Sequence, residues 1–116
     1  VLDMLCRLCT LVIGIDHAEL GAMIMKIWKF SPRMVKIIRH HHLSDPSMQQ
    51  DTDIAIVYLS DCICMMTGMG TGADGLAYRF HDQVVEHMGL TSDDIMKIIA
   101  EFNQTMEQVE GLLQIV

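Results

Sequence analysis

The sequence predicts an all-α protein, a compact bundle of five to six helices, and three observations carry that prediction. Apolar residues recur at helical spacing in most of the chain, most plainly through Ile95, Ile98, Ile99, Phe102, Met106, Val109 and Leu112 or Leu113. Helix-start signals precede these stripes: Asp16 with Glu19, Ser31-Pro32, and Thr91 before Asp93-Asp94. Convincing strand alternation is lacking, and no internal repeat is visible. With 116 residues, 51% of them hydrophobic and 20% charged, the chain is long and apolar enough for one domain around one core.

The elements follow in order. Residues 1–13 are apolar on most faces and carry no Gly or Pro, which predicts a buried helix ending near Gly14; a strand at 10–13 is the alternative. Asp16 then caps a helix whose inner stripe is His17, Leu20, Ile24 and Ile27, with Trp28 alongside. Gly21 costs this helix about 1 kcal/mol against Ala, so another element should pack closely there. Ser31-Pro32 opens the next helix, with Met34, Ile37 and Ile38 as its apolar stripe. His41 follows Met34 by two turns and points inward, His42 flanks that face, and His40 shares the charged outer face with Arg33 and Lys36.

Residues 43–52 form a polar loop with a turn at Asp45-Pro46, and Asp51 or Thr52 caps a helix from 53 to about 67. Its buried side carries Ile54, Val57, Tyr58, Cys62 and Met65, and Asp61 falls on that side. The glycine-rich 67–75 stretch follows a helix rather than a strand, so it is a helix-ending loop and not a phosphate loop. Residues 81–88 form a short helix stopped by Gly89. The His81-Asp82 pair sits at its solvent-facing start and is read as helix-start chemistry, not as a metal site.

Charge and cysteine content exclude several classes. Eight Lys and Arg against fifteen Asp and Glu leave a net charge of −7, which repels a phosphate backbone and argues against nucleic-acid binding. No uncharged apolar run reaches membrane-spanning length and no basic amphipathic segment suits a membrane surface. There is no signal-peptide pattern. Cys6, Cys9, Cys62 and Cys64 lie in predicted helices and are read as reduced residues of a cytoplasmic protein. A zinc site of all four thiolates, or a redox module, is the alternative. The start at Val1, in what reads as mid-helix, predicts a piece of a longer protein.

His17, His41, His42 and Asp61 are polar positions on the inner faces of three successive helices. Imidazoles with a carboxylate suit a divalent ion such as iron, manganese or zinc, which lowers the pKa of a bound water that can then attack a phosphoester. Hydrogen bonding of His41 or His42 to Asp61, without any ion, satisfies the same groups. Both readings stand on sequence alone.

The run from Gly14 to His42, GIDHAELGAMIMKIWKFSPRMVKIIRHHH, followed by DIAIVYLSDCI, resembles the HDOD family, the HD-related output domain of bacterial signalling proteins. The resemblance rests on Asp16 to Gly21, Trp28 with Pro32, His41-His42 and Leu59-Ser60-Asp61, and extends through GTGADG and MGLTSDDI over about residues 10–105. It implies an HD-domain-like helical fold, with residues 1–116 forming a single unit, the C-terminal part of such a domain. It also implies that His17, His41, His42 and Asp61 correspond to the second half of an HD-type metal site. In catalytic relatives a His-Asp dyad and an earlier histidine precede the DHAELG-like helix; no histidine precedes His17 here, and the Gly-Tyr-Pro signature of the cyclic-di-GMP phosphodiesterase branch is also absent.

The resemblance therefore implies a non-catalytic signalling or regulatory domain that acts through other signalling domains or proteins. A homodimer is expected over apolar surface left open by the missing N-terminal helices. The alternative is a fragment of a metal-dependent HD phosphohydrolase acting on a nucleotide or other phosphoester.

Overall fold

The structure, a computed structural model, describes residues 10–67 and 80–113. Its helices are α1 (His17–Ile27), α2 (Pro32–His40), a 3-10 turn (Pro46–Met48), α3 (Thr52–Met66), α4 (Asp82–His87) and α5 (Ser92–Leu113). Residues 10–13 are helical as well, so the strand alternative fails there, and no strand occurs among the described residues. The fold is all-α, as the apolar periodicity predicts. Cys6, Cys9 and most of the glycine-rich stretch lie outside the described residues.

The helix ends form where local chemistry places them. The Asp16 carboxylate accepts the Glu19 N–H at 2.8 Å, the Ser31 hydroxyl accepts from Met34 at 3.3 Å, and Asp51 accepts from Ile54 at 3.4 Å. At α5, Thr91 and Asp94 cap each other: Asp94 N–H donates to Thr91 Oγ1 at 3.2 Å, and Thr91 N–H donates to Asp94 Oδ2 at 2.9 Å. Two helices stop in the same motif. In α1 the N–H groups of Phe30 and Lys29 return to the carbonyls of Met25 and Lys26; in α4 those of Leu90 and Gly89 return to Val85 and Glu86. The pivot is left-handed in both, Gly89 at φ 64° and Lys29 at φ 59°.

The core is built on α3. Ile54, Ala55, Tyr58, Leu59 and Cys62 pack with Leu43 from the preceding loop and Val84 from α4. The Tyr58 hydroxyl accepts the His81 N–H at 3.2 Å, which ties the start of α4 to the middle of α3. Burial pushes the Cys62 thiol up to about 11, so it is an unreactive core residue. His81 and Asp82 are exposed, as expected for a helix start.

Two expectations about facing are corrected. On α1 the buried residues are Ala18 and Ala22, whereas Leu20, Ile24 and Ile27 of the expected inner stripe are 45%, 37% and 75% exposed. The reason is close approach. A Cβ on Gly21 would stand 3.1 Å from Ile38 Cγ2, so α1 meets α2 through its small residues and its larger ones are left outside. Likewise Leu11, Val12 and Ile13 are exposed, not buried, because the core forms around α3. On α5, Ile95, Ile99, Phe102 and Met106 are half-buried while Ile98, Val109 and Leu112 remain exposed.

Candidate metal centre

Three of the four residues singled out for a metal converge. One nitrogen from each of His17, His41 and His42 lies within 4.8 Å of the others. His17 is the first residue of α1, next to the Asp16 cap, and His41-His42 form the corner that follows α2. The pairing of α1 with α2 through Ala18, Gly21 and Ala22 therefore brings residues 25 positions apart into contact: His17 Nε2 and His42 Nε2 are 2.6 Å apart.

The corner is held from behind. The Leu43 N–H donates to the His40 carbonyl at 2.8 Å and closes a turn over the two histidines. Leu43 itself is left-handed, φ 54°, with its side chain in the core. A non-glycine residue in that region costs about 1–2 kcal/mol, and full burial of a leucine returns about 1.5–3 kcal/mol. Core packing thus sustains the strained turn that presents His41 and His42 to α1.

The protonation pattern follows from the partners. The Ile38 carbonyl can only accept, so His41 donates its Nδ1–H to it at 2.6 Å and, when neutral, keeps a lone pair on Nε2. The His42 side chain is secluded, 5% exposed. Its burial, with His41 and His17 beside it, pushes its pKa down to about 4, so it is neutral at pH 7. Its Nδ1 is buried without a hydrogen-bond partner and faces Asp61 Oδ2 at 3.9 Å. With His42 neutral this is not an ion pair; a proton on Nδ1 points its dipole at the carboxylate and leaves Nε2 as an acceptor.

This donor set fits a divalent transition ion. It comprises three imidazoles within bridging distance of one another, one anchored through its Nδ1–H by a carbonyl and another neutral at pH 7. Asp61 stands across the His42 ring from the histidine meeting point, which suits an orienting partner of His42. Its carboxylate is 35% exposed, so water reaches it and burial imposes no need for a metal.

Facing differs from the sequence expectation in detail. His41 and His42 are both half-buried, His40 is half-buried rather than on an outer face, and His17 is exposed although its Nε2 meets His42. The Ile38 carbonyl and the left-handed Leu43 have no signal in the sequence; backbone groups are invisible to residue pattern. Cys62 and Cys64 are free thiols, the first buried, and a four-thiolate site cannot be built from the described residues because Cys6 and Cys9 lie outside them.

Residues 5–44 match the HDOD domain family model. The match takes in α1 and α2 with His17, His41 and His42 and stops short of Asp61. It therefore supports the family resemblance in that stretch. No curated protein and no solved structure matches the chain significantly. No helix among the described residues is long and apolar enough to cross a membrane.

Proposed function

We propose that this chain, with its HDOD-type segment at residues 5–44, is a regulatory signalling module that works by contact with other domains or proteins rather than by turnover. One observation carries this reading. The outer side of α1 and the turn after it expose Leu20, Met23, Ile27 and Trp28 together, Trp28 at 69%. Large apolar side chains clustered on one helix face mark a contact surface. A second copy of the chain, or a neighbouring signalling domain, is the occupant this reading expects.

The test is light scattering across a concentration series, with an Ile27→Lys, Trp28→Ala variant alongside. Wild type is expected to associate as concentration rises and the variant to stay monomeric. A wild-type chain that stays monomeric throughout, and binds no HDOD-partner domain fused or added to it, sinks the reading.

The histidine convergence favours a second reading, a piece of a metal-dependent phosphohydrolase acting on a nucleotide or other phosphoester. His17, His41 and His42 would hold the ion, with Asp61 orienting His42. Iron, manganese or zinc bound there supplies Lewis acidity toward a phosphoester. The chain's own residues contribute three imidazole nitrogens and a strained corner that presents two of them. Elemental analysis of protein purified without a metal-affinity column decides it. Near-stoichiometric metal that disappears in a His41→Ala, His42→Ala, Asp61→Ala variant supports a bound centre; trace metal in wild type leaves the cluster structural.

A further inference from the structure

Three of the chain's eight Lys and Arg residues line one open cavity of about 330 Å³ at the junction of α1 and α2. Lys26 comes from the last turn of α1, Lys36 and Arg39 from α2, and Phe30, Pro32 and Val35 supply an apolar wall. No acidic residue lines it.

The cations are not fully used. Lys36 donates to Asp51 and Arg39 to Glu19, each at 2.8 Å. Of the Arg39 nitrogens only Nη2 is bonded among the described residues, to Glu19, and Nε is buried away from solvent, which leaves Nη1 for an anionic acceptor. Lys26 has no hydrogen-bond or ion-pair partner among the described residues. Phe30 is 46% exposed, so its ring is open to a planar group.

We propose that this cavity binds a small phosphorylated aromatic compound, in chemical class a mononucleotide, with its phosphate taken by Lys26 and Arg39 and its ring laid against Phe30. The volume is that of a small-ligand site. The division into cations and an aromatic wall asks for one molecule that is anionic at one end and flat and apolar at the other. An acidic peptide would use the cations and leave the wall idle. The histidine cluster is a separate feature: His40 lines the cavity, but His17, His41 and His42 do not. Binding here does not depend on what covers the outer face of α1.

Calorimetry on the whole chain with AMP, adenosine, inorganic phosphate and an acidic peptide tests this, using wild type, Lys26→Glu and Phe30→Ala. Both variants change exposed side chains, and circular dichroism checks that they fold. AMP is expected to bind at least about tenfold more tightly than adenosine or phosphate. Lys26→Glu should weaken AMP by about tenfold or more, and Phe30→Ala should weaken AMP while leaving phosphate unchanged. The proposal is overturned if AMP gives no binding up to about 10 mM. It is overturned equally if phosphate binds as well as AMP, if an acidic peptide binds more tightly than AMP, or if Lys26→Glu changes nothing.

Discussion

His17 and His42 face each other through their Nε2 atoms at 2.6 Å, joining the first turn of α1 to the corner after α2. Only one of the two nitrogens can carry a proton in that contact, so a second proton must break it. His42 is already held down to about 4 by burial and by its two histidine neighbours.

Stability should therefore depend on pH in a definite direction. In the fold His42 binds a proton only near pH 4, whereas in the unfolded chain it does so near its ordinary 6.5. The stabilisation is present above about pH 6.5 and is lost as pH falls toward 4, on the order of 2–3 kcal/mol in all. Urea titrations with chelator present, from pH 7.5 down to about pH 4.5, should show wild type losing stability faster than His42→Gln. Parallel pH profiles for the two proteins would refute the assignment.

Asp51 makes two separable contributions. Its carboxylate receives both terminal nitrogens of Arg33 at 2.7 and 2.8 Å and Lys36 at 2.8 Å, while also capping α3. The Arg33 and Lys36 hydrogen bonds hold it well below the usual carboxylate range. Asn caps a helix as well as Asp does, so Asp51→Asn removes only the ion pairs and should cost about 0–1 kcal/mol, less at high salt. Asp51→Ala also removes the cap and should cost about 1 kcal/mol more, insensitive to salt. Thermal melts at two ionic strengths separate the terms; a salt-sensitive difference between the two variants would be inconsistent with this division.

Gly21 and Ile38 form a testable pair. Gly21→Ala gains up to about 1 kcal/mol of helix propensity but places a methyl 3.1 Å from Ile38 Cγ2. The single substitution should be near neutral. In an Ile38→Ala background, where that methyl is gone, the same change should stabilise by about 1 kcal/mol. Additive effects in the four-member cycle would show that the close approach of the helices is not what glycine is for.

Two left-handed residues should respond oppositely to glycine. Lys29 stops α1 at φ 59° with an exposed side chain, so Lys29→Gly relieves strain and should stabilise by about 0.5–1 kcal/mol. Leu43 at φ 54° is buried in the core, and Leu43→Gly should destabilise because the lost burial exceeds the relieved strain. Denaturant midpoints read both signs directly.

What the sequence by itself determined is local. Asp16, Ser31, Asp51 and Thr91 cap their helices because a short polar side chain reaches an N–H two or three residues away, an interaction contained within one turn. Gly89 stops α4, and Gly21 marks a close approach, for equally local reasons. Apolar periodicity placed five helices and put Ile54, Tyr58 and Cys62 in the core.

Which side of a helix is covered is a different matter. It depends on what arrives from elsewhere in the chain. On α1 both Leu20-Ile24-Ile27 and Ala18-Gly21-Ala22 lie at helical spacing, and the second set is chosen because small residues let α2 approach. That choice then brings His17 to His42 and Glu19 to Arg39, and the packing of α2 beside the start of α3 brings Arg33 to Asp51. The strained turn at Leu43, sustained by core burial, presents His41 and His42 to α1. The sequence could nominate the histidines, but only long-range packing decides which nitrogen meets which.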